Sequence, residues 1–432
     1  MLVNDRSLMN RRRMMTSRPL ADPACFDPDR FSAQGYPHDV WTRMRREQPI
    51  AWHDDGEREP FWALTRYADI TAIGKDSESF ISGPGVTILR KDQMVEASAP
   101  RVPLMLTMDP PEHHKNRMIL RERFKPSVMR ALEEHIVARC REIADDVAAA
   151  RIAAVAAGTS DEIDFVDAIA MRLPLDVILE LLGVPTDDRD QMYVWSNAVI
   201  GAEDPEYGSV DLPREAIVAA QQAMFGYFAR FIAQRRAAPR EDLVSLLVEA
   251  RIDGTPLSDR EILGFCFLLA IAGNETTRNA TSGAMLALIE HPHARAALTA
   301  DPSMMPHAVE ELLRWVTPIV YMARTATRDV EIANQTVRAG EKVVLFYPSA
   351  NRDEEVFEHP FTLDLVRKPN RHLTFGFGRH SCLGNDLARI ELAAVLGELL
   401  ARFPDLHLTG PVDRLRSNFV GGIKHMPVRL TR

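Results

Sequence analysis

Apolar residues recur at three- and four-residue spacing, with charges between them, over most of the chain. The segments "PHDVWTRMRREQP", "SVMRALEEHIVARCREIADDVAAA", "LPLDVILELLGVP" and "AIVAAQQAMFGYFARFIAQRRAAP" show it most clearly. That period is the signature of amphipathic helices. Strand-like segments are fewer and cluster in two places. "PIAWHDD" and "FWALTRY" lie near the start, and "VEIANQTVRAGEKVVLFYPSA" follows residue 329, with β-branched residues alternating around turn signals. The pattern predicts a mainly α fold, a helical body with a small sheet attached.

One helix stands apart from the others. It begins at "LSDREILGF", where Ser258 as N-cap and Glu261 three residues on form a capping box, and it runs to "EHPH", where Pro292 ends it. At about 1.5 Å per residue it would extend roughly 45 to 50 Å, enough to cross a domain. In its middle sits "AGNETT", Ala272 to Thr277, which breaks local rules. A buried Gly costs about 1 kcal/mol relative to Ala, and threonine hydroxyls divert backbone hydrogen bonds. A kink against a neighbouring helix would account for this on structural grounds alone.

Composition narrows the picture. The 432 residues contain no Gly/Ser-rich or Pro-rich linker and no internal repeat, so one domain over 21–432 is expected behind a flexible tail at 1–20. Hydrophobic content of 46% and charged content of 26% are those of a globular chain with a substantial core. The net charge of −9 argues against nucleic acid as a partner, because phosphate binding needs concentrated positive charge. The longest apolar run, "ILGFCFLLAIAG", is too short to span a bilayer and meets Asn274 and Glu275 at once, so a buried helix and no membrane anchor are expected. The basic opening "MLVNDRSLMNRRRMMTSRPL" lacks the apolar run of a signal peptide. Cys25, Cys140, Cys266 and Cys382 are far apart and form no CxxC pair, which suggests neither a disulfide framework nor a zinc knuckle. A reducing cytoplasm is the expected compartment.

Cys382 carries the chemistry. A lone cysteine is ordinarily a small buried apolar residue, but this one lies in "LTFGFGRHSCLGNDLARIEL", among glycines and before a helical run. A thiolate is a strong soft metal ligand, and an axial thiolate on haem iron pushes electron density that favours O–O cleavage. Backbone N–H groups aimed at the sulfur protect such a ligand, glycines let the backbone approach, and a helix N-terminus adds a favourable dipole. Gly376, Gly378 and Gly384 suit this task. The pattern Phe375, Gly376, Gly378, His380, Cys382, Gly384 would arise by chance with a probability on the order of 10⁻⁶ at ordinary residue frequencies.

The stretch resembles the haem-binding loop of the cytochrome P450 family of haem-thiolate monooxygenases, and the family's other landmarks follow in order. "EELLRW" supplies Glu311 and Arg314 of its Glu-x-x-Arg pattern, and Arg367 in "FTLDLVRKPN" matches the third member of that structural ion-pair cluster. "DPPEHHKNR" offers His113 and Arg117, and "YMARTA" offers Arg324; with His380 these match positions that bind the haem propionates. Any of them alone would read as a solvated surface group. The resemblance covers the chain from about Phe31 onward.

The resemblance implies a triangular helical prism with a small β-rich region, holding haem b (iron protoporphyrin IX) with Cys382 as the iron ligand. The long helix would pass over the haem's distal face. Ala272 and Gly273 would leave room for dioxygen, and Glu275 and Thr276 would be the acid–alcohol pair that relays protons, with Glu where the family more often has Asp. The implied reaction is hydroxylation of an unactivated C–H bond. No Rossmann-type glycine fingerprint or four-cysteine iron–sulfur pattern is present. Electrons would therefore come from a separate ferredoxin or flavodoxin with its reductase, docking near Arg121, Arg123, Lys125 and Arg130 or meeting them only as a solvated face.

"VWSNAVIGAEDPEYG", "AGNETTRNA", "FYPSANRDEEVFEHPF" and "GGIKHMPVRL" resemble the bacterial branch that hydroxylates sterol side chains and methyl-branched lipids. By analogy the substrate pocket is lined by Val86 and Ile88 of "GPGVTIL", Val199, Ile200, Leu268, Ile319, Val320 and Met322 of "PIVYM", and Phe419 with Val420. These are apolar and uncharged, as a large hydrophobic substrate requires. A terpene or fatty acid would suit them equally. Peroxide-driven enzymes share the cysteine loop but typically lack the acid–alcohol pair. A non-catalytic haem sensor would call for an effector module, of which the sequence has no trace, and a zinc site at His380 and Cys382 has no second ligand pair.

Overall fold

The computed structural model describes residues 18–91, 102–200, 204, 206 and 214–431, and the side chain of Ile200 lies outside what is described. The expected N-terminal tail lies outside the described residues up to residue 17. Its last residues are held against a strand: the Trp52 N–H donates to the Pro19 carbonyl over 2.7 Å.

Among the described residues, the helices longer than eight residues are α1 (His38–Glu47), α2 (Tyr67–Lys75), α3 (Glu112–Arg121), α4 (Glu133–Ala157), α5 (Arg172–Leu182), α6 (Arg189–Ile200), α7 (Arg214–Ala237), α8 (Asp259–Glu290), α9 (Pro292–Ala300), α10 (Met305–Val316) and α11 (Asn385–Arg402). The long helix α8 is the axis of the body. It packs against α5, α7, α10 and α11, while α11 also packs on α4, and the largest apolar core lies among them. The capping box forms at its start, Ser258 Oγ accepting from the Glu261 amide and the Glu261 carboxylate from the Ser258 amide. Pro292 opens α9 directly after α8 ends. The run "SVMRALEEHIVARCREIADDVAAA" divides at Leu132 into a short helix, Pro126–Ala131, and α4.

The small sheet joins β1 (Ile50–His53), β2 (Phe61–Leu64), β3 (Phe80–Ile81), β4 (Tyr321–Ala326) and β5 (Lys342–Phe346) in the order β1-β2-β5-β4-β3. β2 and β5 run parallel and the other neighbours are antiparallel. Both central strands are buried along their whole length, as strands covered on two faces must be. Alternation does not reveal β4, because Arg324 and Thr325 interrupt its apolar pattern. A hairpin, Asp413–Arg414 with Ile423–His425, lies beyond α11 and packs against α8.

The expected weakness at "AGNETT" does not break α8, which is continuous α-helix from Asp259 to Glu290. Within it, the Thr276 hydroxyl donates to the Ala272 carbonyl over 2.8 Å, bonding back along the helix.

Candidate active site

The cysteine loop is tied down at both ends. Asn351 accepts the Leu373 N–H at 2.7 Å and donates to the Thr374 hydroxyl at 3.1 Å. At the other end the Cys382 N–H donates to the Phe375 carbonyl at 2.8 Å. Its three glycines divide the work. Gly384 supplies the amide bonded to the Cys382 sulfur, immediately before α11 begins. Gly376, at φ 69°, and Gly378, at φ 77°, make the left-handed turns. A Cβ on Gly378 would lie 1.9 Å from the Gly74 carbonyl oxygen, so this glycine seats the loop on α2. One glycine therefore reaches the sulfur, and the other two shape and dock the loop.

Cys382 is the one exposed cysteine; Cys25, Cys140 and Cys266 are buried, and all four are free thiols. Exposed though the residue is, desolvation by the surrounding protein raises its thiol pKa, and the Gly384 amide, Arg117 and Arg389 pull it back down while Asp386 opposes them. Arg389 lies over the Phe375 ring at 4.5 Å and is held by Glu310, Nε to Oε1 at 2.6 Å. Arg389 and Glu310 were not singled out from the sequence, where they read as ordinary helix-surface charges.

The structure gathers the four basic residues expected to meet propionates. The His113 and His380 rings lie 4.0 Å apart between centroids. Arg324 and Arg117 act on His380, and Arg117 acts on both His113 and Cys382. Burial, reinforced by these neighbouring cations, holds His113 down at about 4 and His380 at about 3. Asp109 opposes the shift at His113, but it is engaged by the Ser82 and Gly83 amides at 2.7 and 2.8 Å. Among the described residues none of the four forms an ion pair with a carboxylate. The Arg324 Nη1 donates only to the neighbouring Ala323 carbonyl, at 2.7 Å.

On α8, Leu268, Ala272 and Thr276 follow one another at four-residue spacing and so share a face. Ala272 is exposed and the other two half-buried, although the helix around them is mostly buried. Gly273 turns elsewhere: a Cβ there would meet Ile178 of α5 at 3.0 Å, so its small size serves helix packing. Glu275 also leaves the stripe. It is buried and ion-paired to Arg278 at 2.5 Å, and desolvation raises its pKa against the pull of that arginine. Glu275 and Thr276, neighbours in sequence, have different partners.

The Glu-x-x-Arg cluster closes completely. Glu311 takes two bonds of 2.7 Å from Arg314, one of 3.1 Å from Arg367 Nε and one of 3.1 Å from Asn370. Arg314 also donates to the Asn351 and Pro360 carbonyls, at 2.8 and 2.9 Å. Of the expected pocket residues, Ile319 pairs with Val420, and Ala323 donates to the Val86 carbonyl at 2.7 Å, which draws these segments together around β4. Ile88, Val320 and Phe419 pack with Tyr321 on one core, Ile319 and Met322 on another, and Val199 against the helical core. Val320 is fully buried.

A thiol at a helix N-terminus, faced by two arginines and two imidazoles with no carboxylate partner among the described residues, is a donor set for an anionic porphyrin whose iron takes a sulfur ligand. The family model "Cytochrome P450" matches residues 30–426. The chain belongs to the cytochrome P450 family. It is 40% identical over 398 residues to the methyl-branched lipid omega-hydroxylase of Mycobacterium tuberculosis, covering 90% of each chain. It is 36% identical over 405 residues to the steroid C26-monooxygenase of Mycolicibacterium smegmatis, covering 91% of each. A cytochrome P450 of Mycobacterium marinum in complex with pseudoionone shares the fold with a TM-score of 0.87 at 36% identity, over 96% of this chain and all of that one. The mainly α P450 fold, haem as cofactor and monooxygenase activity follow. P450 monooxygenases act on hydrophobic substrates and draw electrons from redox partners. No helix among the described residues is long and apolar enough to cross a membrane.

Proposed function

We propose that this P450 hydroxylates a steroid, isoprenoid or methyl-branched lipid in the cytoplasm, with electrons from a ferredoxin or flavodoxin and its reductase. Cys382 would hold the haem iron, and His113, Arg117, Arg324 and His380 would hydrogen-bond the propionates, the two arginines balancing their charge. The haem supplies the redox and oxygen chemistry. The protein's own work is to orient substrate beside the Leu268–Ala272–Thr276 stripe and to keep a proton available at Glu275. The observation that carries this reading is the convergence of the solvent-accessible Cys382 thiol and basic side chains that no described carboxylate neutralises. The substrate class rests on the relatives' printed activities and on the apolar segments around β4. The retained Glu275 and Thr276 favour dioxygen over a peroxide-driven cycle, and four free thiols suit a reducing compartment.

Arg121, Arg123, Lys125 and Arg130 are all exposed beside α3, as a docking face for an acidic redox protein requires. Charge reversal at Arg121 and Arg123 should slow reduction by a small ferredoxin and flatten its salt dependence; an unchanged rate and slope would remove them from that face.

The purified haem protein, reduced under carbon monoxide, should give the Soret position of a thiolate-ligated haem, and Cys382→Ala should abolish it. Retention of that signal in the variant would place the ligand elsewhere. Titration with steroids, isoprenoids and methyl-branched acids should shift the Soret band; a shift by another compound class and by none of these would overturn the substrate assignment.

A further inference from the structure

Glu310 and Glu311 are neighbours on α10, yet they face different parts of the molecule. Glu311 anchors the buried cluster described above, whereas Glu310 is half-buried and turns to the cysteine loop, which it grips from both sides. On one side its Oε2 accepts from His372 Nε2 at 3.1 Å. The Thr374 N–H donates to His372 Nδ1 at 3.3 Å, which leaves the ring proton on Nε2, facing the carboxylate. On the other side Glu310 takes a bidentate pair from Arg389, at 2.6 Å to Oε1 and 3.0 Å to Oε2. Burial alone would raise the Glu310 pKa; the bonds from His372 and Arg389 overcome it and hold the carboxyl at about 2, so the charge persists at neutral pH.

Arg389 carries this grip on to Cys382 through hydrogen bonds. Its Nη1 donates to Asn385 Oδ1 at 2.6 Å, and Asn385 Nδ2 donates to the Cys382 carbonyl at 2.9 Å. Asn385 opens α11 and Arg389 follows four residues later, so the two side chains share one helix face. The same guanidinium lies over the ring of Phe375, whose carbonyl accepts the Cys382 N–H. The cysteine is therefore held at its N–H by Phe375 and at its carbonyl by Asn385, and Arg389 touches both holders.

We propose that Glu310 is a positioning residue for the haem ligand: through Arg389 and Asn385 it fixes the Cys382 backbone, and by offsetting the arginine's charge it lowers the reduction potential of the iron. The inference rests on the reading of Cys382 as that ligand. An unanswered positive charge beside the sulfur would draw electron density from it and favour the ferrous state, which carries one more negative charge. Paired with Glu310, Arg389 forms a nearly neutral couple, and the sulfur keeps its donor strength. Hydrogen bonds and charges around a ligand sulfur are among the means by which a protein tunes a haem.

The test is spectroelectrochemistry of the substrate-free holoprotein, with the C–O stretch of its reduced carbon monoxide complex as a second measure of sulfur donation. Glu310→Gln should raise the potential by about 30–60 mV, a threefold to tenfold change in the one-electron equilibrium, and should raise the C–O frequency with it. Arg389→Met, which leaves the carboxylate with His372 only, should lower both, and Glu310→Asp should return both most of the way to the parent values. A bracing role alone would loosen the loop in either variant and shift the potential in one direction. Shifts of the same sign in Glu310→Gln and Arg389→Met, or unmoved potentials, overturn the inference. Should Arg389→Met not fold, Glu310→Gln and Glu310→Asp decide it by whether potential and stretch rise together and recover together. A parent protein whose carbon monoxide complex lacks the thiolate Soret position overturns the reading of Cys382 instead.

Discussion

Around Glu311 every charge is answered by the protein itself, whereas around His380 the charges of Arg117 and Arg324 meet no carboxylate among the described residues and the two imidazoles are held neutral. Glu311 and Arg314 are wholly buried, yet Arg314 spends its guanidinium on the Glu311 carboxylate and two backbone carbonyls, and Arg367 and Asn370 complete the carboxylate's bonds. This is the condition under which a buried ion pair is tolerated. His113, Arg117, Arg324 and His380 are drawn together just as firmly, and burial with mutual repulsion depresses both imidazoles. A protein keeps the first kind of cluster for its own architecture and the second for an anion it must bind.

The largest effect should come from opening the closed cluster. Glu311→Ala leaves Arg314 buried without its counter-charge and should destabilise the fold by about 3–5 kcal/mol, as the breaking of a buried pair does. Thermal unfolding of the variant measures this, and a loss below about 1 kcal/mol would deny the cluster its structural role.

Arg324→Ala addresses the open cluster and should act in the opposite way. Loss of a charge-assisted bond to the cofactor, about 1.5–3 kcal/mol, should weaken haem affinity roughly tenfold to a hundredfold. Because Arg324 repels its neighbours without haem, the apoprotein should be no less stable than the parent. Haem titration and apoprotein melting separate the two quantities, and an apoprotein destabilised as much as Glu311→Ala would erase the distinction between the clusters.

The smallest effect is in pH. With folded values of about 4 for His113 and about 3 for His380 against 6.5, the unfolded chain binds protons first as the pH falls. The apoprotein's stability should therefore decline from pH 6.5 downward and level off near the folded values. Propionates beside the two rings favour their charged forms, so the holoprotein's melting temperature should fall less steeply over the same window. Parallel slopes for the two forms would mean that no anion reaches the imidazoles.

The parts of the site legible in the sequence are those carried by contiguous residues. The spacing from Phe375 to Gly384 announces a glycine-shaped loop that sets Cys382 just before a helix, and the capping box at Ser258 announces α8, because a loop and a helix end are local structures. Strand β4 was not visible, since it is buried along nearly its whole length and the polar Arg324 and Thr325 are buried with it, which leaves no alternation to read. Arg389 and Glu310 escaped notice for a related reason: a charge on a helix surface looks solvated until another element covers it.

By itself, then, the sequence determined which cysteine sits in the glycine loop, where the long helix starts and stops, and that the fold is mainly helical. Tertiary structure alone decided which glycine reaches the sulfur, that Gly273 faces Ile178, and that Glu275 and Thr276 part company. It also decided that Asp164, Asp167 and His425, from two distant segments, come within 4.8 Å of one another. Short-range rules fix backbone shape and side-chain chemistry; the partners of a buried charge are chosen by packing between segments far apart in the chain, where desolvation makes every unanswered charge costly.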